Sequence, residues 1–331
     1  MRNPLNHPTA DGPLISLDQI DLVGANLVRP ECVLCDGFGH VHVTNGSGGV
    51  TTLFEDGTQR DLMATDPPVP LMPNGIAKLP GGAFLLANLA DAGGVWRLEP
   101  DGTVSPYLVE LDGAALPPAN FVLCDTPHSA WITVSTRRSP RAGAYRSDIA
   151  DGFIVRVTPD GAWIAADELG YTNECQVHPK GDWLYVNETF ARRLSRFPIL
   201  SGSALGPRET VIQFGEGVFP DGLCFDEEGA AWVTSIVSNR IIRVLPDGEA
   251  QLILEDMNTD HVAAVEAAYL EGTMDRVHLD RVVSRCLKNT SSLAFAGRDR
   301  KTIYVGCLLD SRIYRFPSPI AGVRPHHWSW S

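Results

Sequence analysis

The chain has little basic charge, no long apolar run and none of the common hydrolase signatures. Across 331 residues, Asp and Glu outnumber Lys and Arg 40 to 27, a net charge of −13. A surface of that sign repels phosphate backbones, so nucleic acid is not expected as a partner. No stretch of about 18 consecutive apolar residues occurs, which argues against a membrane span. The opening residues, "MRNPLNHPTADGPLISLDQ", lack an apolar core and a small-residue cleavage site, so no secretory leader is expected. No GxSxG seats a nucleophilic serine, no HExxH binds zinc, and "GFGH" at 37–40 lacks the context of a dinucleotide loop. The seven cysteines are odd in number and fall mostly inside apolar runs. Cys32 and Cys35 have CxxC spacing, but no second pair follows to complete a zinc site. They are read as reduced core residues, which fits a cytoplasmic location.

What is abundant is strand signal. Apolar residues make up 44 % of the chain, enough for a large core. "GHVHVTN", "GAFLLANL", "SAWITVST", "DWLYVNET", "AAWVTSIV" and "KTIYVGCL" are short, β-branched or aromatic, and preceded by turn residues. Each is followed by a second strand-like run, four of which end in Asp-Gly and lead into another short strand. Glycine supplies the positive φ such a hairpin turn requires. The unit of four strands recurs about every 45 to 55 residues, the period of a propeller blade. The expected fold is therefore all-β, a six-bladed β-propeller of four-stranded blades forming a single domain over 1–331. The sixth unit lacks a fourth strand, so "LDQIDLVGA" (17–25) is expected to supply it and close the ring, leaving no exposed edge. Residues 256–288 break the pattern and read as a helical insertion between blades 5 and 6, with Val262, Val265 and Tyr269 on one face. It is a candidate lid. The tail "RPHHWSWS" is expected to pack loosely on the outside.

"PDG" occurs four times, and the copy at 220–222 is out of place: it opens an apolar strand instead of joining two. Aligning the units explains it. Glu31, Asn74, Asn120, Asn173 and Asp221 head successive inner strands, at spacings of 43, 46, 53 and 48 residues. Inner strands surround the propeller axis, so these side chains converge on one funnel. A lone Asn or Asp before a strand commonly just caps a loop. Five at matching places in successive repeats argue for a shared purpose. Two buried carboxylates would repel one another, and a divalent cation removes the conflict. An all-oxygen donor set selects a hard ion, Ca²⁺ first, then Mg²⁺ or Mn²⁺, with Zn²⁺ a weaker fit.

At these residues the sequence resembles the SMP-30/gluconolactonase family, six-bladed calcium propellers related to the diisopropylfluorophosphatases. The most specific stretches are "PDGLCFDEEGAAWVTSIVSNRIIRVLPDG" (220–248), "RPECVLCD" and "YTNECQVHPKGDWLYVNET". The resemblance implies Glu31, Asn173 and Asp221 as metal ligands, with Asn120 a ligand or substrate contact and Asn74 a further substrate contact. It also shows departures. Cys32-Val33 follow Glu31 where the family has Gly-Pro, Phe121 follows Asn120 where it has Asp, and Glu174 follows Asn173 where it often has Gly. Phe121 at the substrate would favour an aliphatic lactone over a polyhydroxylated one.

The implied activity is metal-dependent hydrolysis of a small lactone. The cation would polarise the carbonyl, and Asp221, or a water held by the cation, would activate the attack. Arg138, beside Arg137 in "STRRSPRAG", is a candidate contact for a carboxylate product, against the alternative of a solvated loop. Two other readings keep the fold: a phosphotriesterase on the same site, and a non-enzymatic interaction module. The expected partner is a small molecule, and the expected state a monomer or small homo-oligomer.

Overall fold

The computed structural model describes residues 12–281 and 283–330. Most of the stretch read for a secretory leader lies outside the described residues. Six four-stranded antiparallel sheets make up the fold. Their innermost strands are Val33–Cys35, Pro73–Lys78, Ala119–Thr126, Thr172–Val177, Val218–Phe225 and Thr290–Ala296. Neighbouring inner strands touch in order, and the last touches the first, so the sheets form a closed ring of blades about one axis. The predicted six-bladed propeller is correct. Blade 6 holds Thr290–Ala296, Thr302–Cys307 and Ile313–Pro317, and its outer strand is Asp21–Val23 from the other end of the chain. Asp21, Leu22 and Val23 pair with Arg315, Tyr314 and Ile313.

The Asp-Gly pairs behave as their chemistry requires. Gly57, Gly102, Gly161 and Gly248 have φ of 83°, 88°, 140° and 87°, so each makes a turn that a β-carbon would strain. Gly222 does not have positive φ; it is a site of close approach. A β-carbon there would lie 2.2 Å from the Ser291 carbonyl of the next blade. The same strand carries a β-bulge between Pro220 and Leu223, around Asp221. Bulges recur at Asn74, between Pro73 and Gly75, at Asn120, between Ala119 and Phe121, and at Asn173, between Thr172 and Cys175. A bulge breaks the ladder and re-aims a side chain. Here it does so in each of blades 2 to 5, at the head of the inner strand.

Between blades, the large apolar side chains are buried, including Trp131, Trp232, Phe190 and Tyr314. Each such side chain contributes roughly 1.5–3 kcal/mol relative to exposure. The insertion is helical in part: Thr259–Leu270 forms one helix and Arg276–Leu279 a single turn, while residues 280–281 and 283–289 are irregular. Asn258 caps the first helix, its Oδ1 accepting the His261 N–H at 2.9 Å. Val262, Val265 and Tyr269 are buried, as their spacing implied. Glu266, on the same helix, ties it down. Arg192 donates to both Glu266 carboxylate oxygens, at 2.9 and 2.5 Å, and stacks over Tyr269 at 3.8 Å. The tail is not loose on the outside. The Trp328 indole and the His327 ring both hydrogen-bond the Cys35 carbonyl, closing the end of the channel where the inner strands finish.

Candidate metal centre

Glu31, Asn74, Asn120, Asn173 and Asp221 line one cavity at the end of the channel where the inner strands begin. All five are buried, 3–5 % exposed. Four are placed by the bulges. Glu31, just ahead of its strand, is placed by the backbone: its N–H donates to Thr44 Oγ1 at 2.9 Å, and its carbonyl accepts from Ser291 Oγ at 2.7 Å. Asn173 is fixed through its amide nitrogen, which donates to Thr189 Oγ1 at 3.0 Å. Thr189 in turn donates to the Pro220 carbonyl at 2.7 Å, tying blade 4 to the residue before Asp221.

Two buried carboxylates, Glu31 and Asp221, share the cavity with the guanidinium groups of Arg29, Arg141 and Arg276. Burial raises Asp221 to a pKa of about 7, against the opposing effects of Arg29 and a hydrogen bond from Asn173. Burial also pushes Glu31 well above the ordinary carboxylate range, with Arg29 opposing and Asp221 and Glu174 adding to the rise. Both carboxylates would be easier to ionise beside a cation. The amide oxygens point the same way. Asn120 Oδ1 and Asn173 Oδ1 are buried and have no hydrogen-bond partner. Burying such an acceptor unpaired costs about 1–3 kcal/mol. Two carboxylates and two orphaned carbonyl oxygens facing one space fit a hard divalent ion.

Asn74 lines the cavity, yet both ends of its amide are engaged. Its nitrogen donates to Glu31 Oε1 at 2.9 Å and to the Asn120 carbonyl at 3.0 Å, and its oxygen accepts from Arg29 Nη2 at 2.9 Å. It holds the ring together. A second cluster, Asp36, His40 and His42, brings its ligand atoms within 4.8 Å of one another. Lys78 Nζ already sits there, 2.5 Å from Asp36 Oδ2 and 3.1 Å from His42 Nε2, so an ammonium fills the cation's place.

A family model described as the SMP-30/Gluconolactonase/LRE-like region matches residues 47–265, two thirds of the chain. The chain belongs to the SMP-30/gluconolactonase family. Among curated relatives, a 6-deoxy-6-sulfogluconolactonase of Pseudomonas putida is 30 % identical over 101 residues, 30 % of this chain. The match spans 35 % of that protein's length. The gluconolactonase XC5397 of Xanthomonas campestris superposes with a TM-score of 0.65 at 17 % identity, over 91 % of this chain and 90 % of that one. Regucalcin of Agrobacterium tumefaciens, a calcium-binding protein, superposes with a TM-score of 0.62 at 16 % identity, over 92 % and 96 %. At such identities the superpositions speak for the fold.

Two of the expected substrate residues of this family member lie elsewhere. Phe121 does not reach the Glu31–Asp221 cavity. It lines a separate space of ≈ 240 Å³ further along the channel, because the residue after a bulged Asn120 points the other way. Glu174, next to Asn173, goes to that space too, where burial raises it to about 8. Arg138 is half-exposed, 3.6 Å from Asp151, and does not line the cavity. Sequence reading missed Arg29, Arg141, Tyr145, Tyr171 and Arg276, which do. Arg29 had one signal, its place two residues before Glu31. Tyr171 had the same signal, two residues before Asn173, whereas Arg141, Tyr145 and Arg276 lie in segments with no repeat to align. Arg276 and Leu279 of the insertion form part of the cavity wall. The space enclosed is ≈ 40 Å³. That is room for about three waters.

Proposed function

We propose that this propeller is a metal-dependent lactonase. The observation that carries the reading is the pair of orphaned oxygens, Asn120 Oδ1 and Asn173 Oδ1, buried beside Glu31 and Asp221. Glu31, Asn120, Asn173 and Asp221 would hold the ion. A divalent cation, Ca²⁺ first among hard ions, supplies the positive charge that polarises the ester carbonyl when bound. Asp221 is the better base of the two carboxylates. One oxygen of Glu31 is already occupied by Asn74, whereas no residue but Asn173 hydrogen-bonds the Asp221 side chain. Asp221 takes a proton from the attacking water and returns it to the ring oxygen as the acyl C–O bond breaks, so that oxygen leaves as the alcohol of the hydroxy acid. Thr189 keeps Asn173 turned toward the cavity throughout. The lactonase names of the sulfogluconolactonase and gluconolactonase relatives, and the calcium binding of regucalcin, support the same reading.

The test is hydrolysis of a lactone panel followed by pH-stat, with calcium and after chelation. The panel includes an alkyl γ-lactone and an aldonolactone. Turnover that requires calcium is the expected result. No turnover on any lactone, with calcium binding shown by calorimetry, would overturn it and direct attention to phosphotriesters.

A further inference from the structure

Three guanidinium groups line the small cavity that holds Glu31 and Asp221: Arg29, Arg141 and Arg276. They arrive from three unrelated places. Arg29 precedes blade 1 and adopts a left-handed backbone, φ 47°. Arg141 opens a short 3₁₀ turn, Arg141–Ala144, in the loop across blade 3. Arg276 starts the second helix of the insertion. Burial disfavours the charge on Arg29; Glu31 and Asp221 support it, and the fields of Arg276 and Arg141 oppose it. A chain with a net charge of −13 has no general reason to gather them.

Nor are they there to form ion pairs. Among the described residues, neither Arg29 nor Arg141 has a carboxylate within ion-pair distance, and Arg276 shares its charge with Asp280 at 2.9 Å on the surface. Arg29 Nη1 is buried without a hydrogen-bond partner, while Nη2 is used on Asn74. A buried donor of this kind, on a cavity wall, marks a place where an acceptor belongs. The charge count sharpens the point. Glu31 and Asp221 together carry two negative charges, which a divalent cation would cancel. Arg29 and Arg141 then remain on the walls without a carboxylate partner, beside Arg276, whose charge Asp280 shares. Tyr145 and Tyr171 add polarisable hydroxyl-bearing rings beside them.

We infer that the substrate is an anionic lactone, carrying a carboxylate or sulfonate at the end of the molecule away from the scissile ester, with Arg29, Arg141 and Arg276 receiving that group. This rests on the lactonase reading and names its substrate class. A guanidinium fork meets such an oxyanion with paired, charge-assisted hydrogen bonds. The reaction itself is unchanged. Water adds across the ester C–O bond, the carbonyl carbon becomes a carboxylate, and the ring oxygen keeps a proton as the new hydroxyl.

The experiment compares kcat/KM for three lactones matched in ring and hydroxyl pattern: one uncharged, one with a terminal carboxylate and one with a terminal sulfonate. The sulfonate arm matters because sulfonates are weak calcium ligands, so a gain there cannot come from the ion. We expect the anionic lactones to be preferred by about ten-fold or more. That preference should shrink with added salt, and Arg141→Gln and Arg276→Gln should each reduce the anionic-to-neutral ratio about ten-fold, mainly through KM. A ratio measured on one preparation is insensitive to partial unfolding. Equal or better turnover of the uncharged lactone would overturn the inference while leaving the lactonase reading intact. If no lactone is turned over, the lactonase reading fails, and calorimetry with the open-chain sulfonate decides the arginine site alone. Binding lost in Arg141→Gln/Arg276→Gln would support the site, and no binding to the native chain would sink it.

Discussion

Where the inner strands begin, Glu31, Asn120, Asn173 and Asp221 face a space of ≈ 40 Å³; where they end, Cys35, Cys124, Phe121 and Phe225 face one of ≈ 240 Å³. The same strands serve both ends, and adjacent residues are split between them: Asn120 from Phe121, Asn173 from Glu174. The ladder geometry accounts for the split. At the heads of blades 2 to 5, bulges turn one polar residue each toward the axis. Further along, the channel is lined mainly by apolar strand residues. The covers differ as well. The insertion is held over the polar end by a buried Arg192–Glu266 pair, the tail over the apolar end by hydrogen bonds to one carbonyl. A single fold thus offers a charged, smaller site and a more apolar, larger void on one axis. Size does not identify the working end; unsatisfied donors and acceptors do.

That contrast can be tested from its strongest point downward. Asp221→Asn should lower lactone turnover about 10²–10³-fold, in line with removing one preorganised electrostatic group from a buried site. The same change should make the metal-free protein melt higher, because it relieves repulsion between buried carboxylates. Calcium at 100 times its dissociation constant should stabilise the native chain by about 2.7 kcal/mol and the variant by much less. Equal calcium stabilisation of both chains, read by thermal melts, would break the assignment of the polar end.

At the apolar end, Phe121→Leu should cost no more than about 1.5 kcal/mol in denaturant unfolding. The preference between alkyl and hydroxylated lactones should not move. A shifted preference would return Phe121 to the substrate and erase the division between the two ends. The smallest effect concerns the tail. Desolvation lowers the His327 pKa to about 4, below the value of about 6.5 for a free imidazole. Between these values the docked tail binds fewer protons than the released one. Docking is therefore complete above about pH 6.5 and weakens as pH falls toward 4. Fluorescence of Trp328 and Trp330 should follow that window, and His327→Gln should remove the dependence.

The ring architecture and the five strand heads were legible because repetition amplifies a weak signal. One Asn before a strand says little, and five in register say where the axis lies. Asn120 and Phe121 show the limit. They are adjacent, but a bulge sends them to different cavities, and sequence does not display a bulge. Arg141 and Arg276 were out of reach for another reason. They lie in segments that occur once, so no internal comparison could place them. The Arg192–Glu266 pair, 74 residues apart, joins a blade to the insertion by tertiary packing alone.

The closure of the ring has a consequence for how the protein is made. The Glu31 carbonyl is held by Ser291 Oγ and the Ser292 N–H, and the Pro30 carbonyl by the Cys307 N–H. The strand at Asp21–Val23 waits for Ile313–Pro317. Glu31 emerges from the ribosome 260 residues ahead of Ser291. Until blade 6 is made, Glu31 lacks these partners, so an ion held as proposed could not serve as an early template during synthesis. It would only lock what the later blades have joined, and a nascent chain stalled before blade 6 should gain no protection from calcium.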